Sequence, residues 1–224
     1  MQRIPEPDLM DDDAQACAYA EADFAEAHQH VITLFQQRWP GRDITGRVLD
    51  LGCGPADISI RFARAFPDCT IEGVDGAGEM LAYGSRAVSA AALSSRIDLT
   101  HCYLPNDDLM QQSFDVVISN SLLHHLKEPM TLWQTIAACA KSASTSGVPV
   151  FVMDLMRPES EAEVERLVEL YVADEPALLR HDFHRSLLAA YRVDEVRAQL
   201  DAAGLSGLKV EAVSDRHLII AGLL

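Results

Sequence analysis

The sequence predicts an α/β fold in which a mostly parallel sheet is covered by helices on both faces. Short apolar runs of strand length alternate with amphipathic segments of helical period, the rhythm of repeated βαβ units. The first strong strand, Arg47 to Leu51, enters a Gly-Cys-Gly-Pro turn and then a helix, a local order that parallel strands require. Of the 224 residues, 49% are apolar and 23% charged, so disordered and fibrous classes are excluded and a single domain over 1–224 is expected.

In chain order, residues 1–13 are rich in Pro and Asp. From 14 to 39 apolar residues recur at helical spacing (Cys17, Ala20, Phe24, Ala27, Val31, Leu34), which predicts an N-terminal cap helix ended by Pro40-Gly41. After the strand 47–51, residues 56–66 read as a helix with Ile58, Phe62, Ala63 and Phe66 on one side, broken by Pro67-Asp68. Cys69 to Val74 is a second strand, and Asp75-Gly76 turns into a helix carrying Met80 and Leu81. A weak strand at 97–102, a strong one at 114–119, a helix at 129–143 and a fifth strand ending at Asp154 continue the pattern. A helix at 159–173 follows, inside a 155–190 insertion that precedes the regular helix 193–203, which Gly204 stops. That insertion leaves the carboxyl end of a strand, where α/β folds place their ligands, so it is read as a substrate lid. Two closing strands, 207–213 and 216–222, are close enough for a hairpin and predict an antiparallel edge to the sheet. The final run Leu218 to Leu224 suits a strand, or else the edge of a homodimer.

The net charge is −16, from 18 Lys and Arg against 34 Asp and Glu. Such a surface repels phosphate backbones and anionic lipids over about 8–10 Å at physiological salt, so neither nucleic acid nor membrane is an expected partner. No apolar run reaches the length of a membrane-spanning helix. The first residues lack the basic-then-apolar pattern of a secretory signal, and the five cysteines (Cys17, Cys53, Cys69, Cys102, Cys139) form no CxxC pair. The expected setting is therefore the cytoplasm, with reduced thiols.

The most informative stretch is Val48-Leu49-Asp50-Leu51-Gly52-Cys53-Gly54-Pro55. Gly52 and Gly54 let the backbone bend sharply and let a ligand approach without a Cβ in the way. Asp50, at the strand end, can accept from a ligand ammonium. Asp75, at the end of the second strand, can accept from two ribose hydroxyls. A dinucleotide site calls for a third glycine in GxGxxG, and here that position is Asp57, which repels a pyrophosphate. The remaining pattern suits a ligand with an adenosine, an amino-acid end and no phosphate, such as S-adenosylmethionine.

With VLDLGCGP (48–55), IEGVDGAGEML (71–81) and FDVVISNSLLHHLKEP (114–129), the sequence resembles the class I S-adenosylmethionine-dependent methyltransferases over roughly 40–155. The resemblance implies a Rossmann-like three-layer sandwich whose seven-stranded sheet has six parallel strands and one antiparallel. It also implies S-adenosyl-L-methionine as cofactor and S-adenosyl-L-homocysteine as product. Carried over by position, Asp50, Gly52 and Gly54 would hold the methionine end and Asp75 the ribose. Gly76 and Met80 would line the adenine and ribose side, and Asn120, beside Ser119, would lie near the transferring methyl. The sequence departs from many relatives at Leu99 to Pro105, which has no acid for the adenine amino group, so that contact is left to main chain around His101 to Tyr103.

Methyl transfer from a sulfonium is an in-line displacement in which the protein chiefly aligns and desolvates the reactants. Where a base is needed, His124 and His125 are the candidates, because imidazole titrates near neutrality. Tyr19, on the cap helix, is a candidate to cover the cofactor, although ordinary packing explains its spacing equally well. Phe183, His184 and Arg185 are candidates to meet a small-molecule acceptor; the competing reading is a solvated helix face on which Arg185 pairs with Asp182. No metal site is expected: His28 and His30 point to different sides of a helix, and His181 and His184 have no fixed partner ligand. The rival functions are a same-fold enzyme using S-adenosylmethionine or a derivative for another reaction, and a catalytically silent S-adenosylmethionine-binding partner subunit. An NAD-dependent oxidoreductase is disfavoured by Asp57.

Overall fold

Seven strands form one sheet: β1 Gly46–Leu51, β2 Cys69–Asp75, β3 Ile97–His101, β4 Val116–Asn120, β5 Pro149–Leu155, β6 Leu208–Ala212 and β7 His217–Leu223. Their order is β3-β2-β1-β4-β5-β7-β6 in the computed structural model, which describes residues 1–6, 17–19, 24–141 and 147–224. The order reverses between β1 and β4, the switch point beside which α/β sheets bind ligands. β1 through β5 pair in parallel, and β7 runs antiparallel to both its neighbours.

Side chains alternate along the strands, and this period of two divides the core. Leu49, Leu51, Val117, Val150, Val152, Leu218 and Ile220 face one side, packed under α4 Asp107–Met110, α5 Met130–Cys139 and α8 Val193–Ala202. Val48, Ile71, Ile118, Phe151 and Ile219 face the other, under α1 Ala25–Arg38, α2 Asp57–Ala65 and α3 Gly78–Ala90. Phe35 of α1 makes edge contacts with Phe62 of α2 and Phe151 of β5, at 4.9 and 5.8 Å between ring centres, which pins α1 to the sheet. Trp133 is fully buried and donates its indole N–H to Gln199, tying α5 to α8 at 2.9 Å. No helix among the described residues is long and apolar enough to cross a membrane.

The structure differs from the sequence-based expectation in four places. The antiparallel strand is not at the edge. β7 lies between β5 and β6, paired on both sides, with Leu218 to Ala221 buried, so that apolar run is interior and cannot serve as an exposed dimer edge. The cap helix over 14–39 is present as α1, with residues 17–19 also helical; Phe24 is non-helical and precedes α1, and 14–16 and 20–23 lie outside the described residues. The helix expected at 129–143 ends at Cys139. The insertion holds two helices, α6 Glu161–Val172 and α7 Ala177–Ala189, where periodicity revealed only the first. These pack a small core of their own from Leu155, Val164, Leu167, Val168, Leu187 and Leu188, with Phe183 against it.

Candidate active site

The glycine loop joins β1 to α2 at the carboxyl ends of the strands. Gly52 adopts φ +72° and Gly54 φ +50°, in the left-handed region that glycine enters without strain. Their surroundings differ. A Cβ on Gly52 would lie 2.9 Å from Leu122 Cβ, whereas one on Gly54 would meet nothing within 4 Å. Gly52 is thus needed by the fold, and Gly54 leaves open space where a ligand can approach the main chain.

Asp75 braces this loop. Its Oδ2 accepts from Gly54 N–H and its Oδ1 from Ala77 N–H, both at 2.8 Å. Burial raises its carboxyl above the ordinary value against the lowering effect of those two N–H groups. Each carboxylate oxygen keeps further accepting capacity, so two hydroxyls can still be received. Asp50 lies deeper, 1% exposed, and accepts from Ser59 Oγ at 2.6 Å. Burial pushes its carboxyl up to about 7, the Ser59 bond opposing this and the Asp75 charge adding to it. A cationic group brought alongside would restore its ionised form. Asp57, the position that departs from a dinucleotide loop, opens α2 and holds His28 Nδ1 of α1 at 2.8 Å and Arg61 Nε at 2.6 Å. It therefore staples two helices together, a purpose its spacing in the sequence does not disclose.

Around this loop, Met80 is buried with Ala77 against Tyr19 and Tyr83. Tyr19 is half-buried, and burial together with the charges of Asp57 and Asp75 pushes its phenol up to about 12. Tyr19 thus packs with Ala77 and Met80, and among the described residues no hydrogen bond or ring contact joins it to His124 or His125. The Gly76 carbonyl accepts from His101 Nε2 at 2.9 Å, and Tyr103 stands beside His101, 58% exposed. The segment without an acid thus offers an exposed aromatic face. At the end of β4, Asn120 donates to Ser121 Oγ at 3.2 Å, while the Ser119 hydroxyl donates to the Leu51 carbonyl at 2.7 Å and is committed to joining β4 to β1.

The second part of the site is the 3-10 turn Leu123–His125. His124 is 2% exposed, and its Nδ1 meets Asp154 Oδ1 of β5 at 2.6 Å. Asp154 Oδ2 accepts from the N–H groups of Leu123 and His124, and its Oδ1 from Leu155 N–H. Burial would lower the His124 imidazole, but the Asp154 charge and hydrogen bond outweigh it and hold it above its ordinary value. His125 Nδ1 meets Glu6, whose other oxygen accepts from Ser186 Oγ of α7 at 2.8 Å. Burial opposes ionisation of Glu6, yet the His125 hydrogen bond and charge hold it at about 2. Arg3 donates to the carbonyls of His124, Leu126 and Ala189 and lies over the Tyr191 ring, so residues 1–6 stitch the turn to the end of α7.

Of the three lid residues expected to meet an acceptor, Phe183 packs into the lid core, and His184 Nε2 pairs with Glu165 of α6 at 3.2 Å. Among the described residues, no hydrogen bond or ion pair joins Phe183, His184 or Arg185 to the double-histidine turn. Ser186 of α7 instead donates to Glu6, the partner of His125. Sequence reasoning missed Glu6, Asp154 and Ser186, because each lies far along the chain from the histidines it serves.

Residues 48–147 match the family model described as Methyltransferase domain. An uncharacterized methyltransferase of Mycobacterium bovis is 30% identical over 110 residues, 49% of this chain and 53% of the relative. The trans-aconitate 2-methyltransferase of Mycobacterium tuberculosis is 38% identical over 88 residues, 39% of this chain and 30% of the relative. The matched part thus spans about half or less of these curated relatives. A solved S-adenosylmethionine-dependent methyltransferase from Aquifex aeolicus superimposes with a TM-score of 0.66 at 16% identity, covering 95% of this chain and 98% of that one. That likeness speaks for the fold. The strand order matches that fold, and residues 48–147, which hold the glycine loop and the acid at the end of β2, are similar to a methyltransferase domain.

Proposed function

We propose that this protein binds S-adenosylmethionine at the glycine loop and transfers its methyl group to a small-molecule acceptor held between that loop and the lid. The observation that carries the reading is Asp75, fixed by Gly54 and Ala77 beside the open space at Gly54. The residues fit the ligand chemically. Asp75 has accepting capacity for a ribose, Asp50 is a buried carboxyl that gains from an ammonium, and Tyr19 and Met80 cover the adenosine side. When bound, the sulfonium supplies an already activated methyl group. The chain's own share is to hold the two partners in line and to exclude water. Gly76, Met80 and the exposed Tyr103 would receive the adenine, and Asn120 would face the methionine end. His124 and His125 would meet the acceptor, whose proton, where it has one, leaves at this turn. Tyr19 would act as a cover. The acceptor in the name of one relative, trans-aconitate, is a small molecule, and the net charge of −16 agrees with an acceptor other than nucleic acid.

Calorimetric titration with S-adenosylmethionine, S-adenosylhomocysteine and NAD tests this. Binding of the first two at micromolar concentration and none of NAD is expected; no binding of either by folded protein overturns the proposal. His124→Ala should lower turnover about a hundredfold or more while changing cofactor affinity little. Equal turnover would remove His124 from the acceptor side. A silent binding subunit would bind cofactor yet give no methylated product with any acceptor in a screen of small hydroxyl, amine, thiol and carboxyl compounds.

A further inference from the structure

We infer that Glu6, His124 and His125 form a binding site for one first-row divalent cation of the zinc, manganese, cobalt or nickel type. The three side chains each place a ligand atom such that all lie within 4.8 Å of one another. The two imidazoles stand 4.0 Å apart between ring centres, and the Glu6 carboxylate closes the group from the N-terminal segment. Two imidazoles with one carboxylate suit borderline metals. Calcium and magnesium prefer all-oxygen sets.

The surroundings of the trio have the form of a supported metal site. A ligating histidine usually holds its other ring nitrogen against a carboxylate or carbonyl, which fixes the ring. His124 does so through Nδ1 to Asp154, and Asp154 is itself fixed by the N–H groups of Leu123, His124 and Leu155. Glu6 is likewise oriented by Ser186 through its second oxygen. His124 is buried, whereas His125 and Glu6 are partly open, so a path for entry exists. The nearby cation, Arg3, spends its donors on three main-chain carbonyls, while Glu6, Asp154 and Asp75 contribute negative charge. Three protein ligands leave coordination positions open for a water or an acceptor oxygen, as catalytic metal sites do. Without a cation, His125 and Glu6 satisfy each other, so the ligands are already gathered.

The test uses the full, untagged chain, treated with chelator and then freed of it. Titration with Co2+ is followed by visible absorption, and Zn2+ stoichiometry by atomic emission. Saturable binding of about one equivalent is expected, with affinity reduced at least about tenfold in Glu6→Gln and in His125→Ala, and about 10–100-fold in Asp154→Asn. Asp154 supports several main-chain groups and its variant can lose its fold. The decision therefore rests on Glu6 and His125, each checked by circular dichroism. Absence of saturable binding overturns the inference, as does binding that Glu6→Gln and His125→Ala leave unchanged, which would place the cation elsewhere. The inference rests on the methyltransferase reading only for its use, and S-adenosylhomocysteine titration of the metal-free chain separates the two. Nucleoside binding without cobalt binding defeats the metal site alone, and cobalt binding without nucleoside binding defeats the methyl-transfer proposal alone.

Discussion

At the glycine loop, Asp50, Gly52, Gly54, Asp75 and Met80 come from one continuous β1-α2-β2-α3 stretch, whereas the double-histidine turn is completed by Glu6, Asp154 and Ser186 from three distant segments. The first region is a local unit: strand, turn and helix dictate where each residue falls, and Asp75 reaches back only to Gly54. The second exists only once the N-terminal segment, β4, β5 and the lid have come together. A cofactor common to a family can be read by a fixed local device. An acceptor particular to one enzyme is met by a surface assembled through tertiary contacts.

The largest expected effect tests whether the local region is held for its ligand at a cost to the fold. An Asp50 carboxyl raised from 3.8 to about 7 is protonated in the folded state over a pH range where the unfolded chain has already ionised. The unfolded state then binds fewer protons, so the contribution of Asp50 to stability falls as pH rises from about 4 to about 7 and levels off above. The full difference is about 4 kcal/mol. Asp50→Asn keeps an oxygen for the Ser59 hydroxyl and avoids the buried charge. It should equal the wild type in stability near pH 4 and exceed it by a few kcal/mol at pH 8, while cofactor affinity falls. Urea melts at the two pH values measure this, and an Asn variant less stable at pH 8 would contradict it.

Next in size is Asp75. Removing two charge-assisted hydrogen bonds to a ribose, at about 1.5–3 kcal/mol each, should weaken S-adenosylhomocysteine binding at least about a hundredfold in Asp75→Ala. Asp75→Asn retains one acceptor and should lose less. Unchanged affinity in calorimetry would sink the ribose assignment. The two glycines then divide fold from ligand. Both substitutions to alanine carry about 1–2 kcal/mol for the left-handed backbone. Gly52→Ala adds a collision with Leu122 and should be the less stable protein, whereas Gly54→Ala should fold with only the backbone cost yet lose cofactor affinity. A Gly54→Ala protein that binds cofactor normally would show that the open space is not where the ligand lies.

The same contrast governs what was legible beforehand. The strands of the sheet and the glycine turn were readable because periodicity and turn chemistry act over a few residues, whereas the order of the strands was not. The place of β7 was not, since a closing hairpin can lie at an edge or insert beside β5, and only pairing on both sides distinguishes them. Continuous apolar character from Leu218 to Ala221 was the available signal for an interior strand. α7 escaped notice because its polar residues Arg180, His181, Asp182, His184 and Arg185 interrupt the apolar stripe. Glu6 carried no signal at all: its meaning comes from His125 and Ser186, and nothing in its neighbourhood in the chain points to them.

The smallest expected effect falls on the outer face of α7. His184 looked like an acceptor contact within an aromatic-His-Arg cluster, but it pairs with Glu165, itself largely exposed. Exposed pairs of this kind contribute little, because solvent screens them and two side chains must be held in place. His184→Ala should therefore shift stability by within about 0.5 kcal/mol and leave both cofactor binding and turnover unchanged. Ser186→Ala, on the inner face of the same helix, should act differently: it removes the hydroxyl that orients Glu6, and turnover should fall while cofactor affinity holds. If His184→Ala lowered turnover as much as Ser186→Ala does, α7 would be turning its outer face to the acceptor during the reaction, and the division between a lid that packs and a turn that meets the acceptor would have to be redrawn.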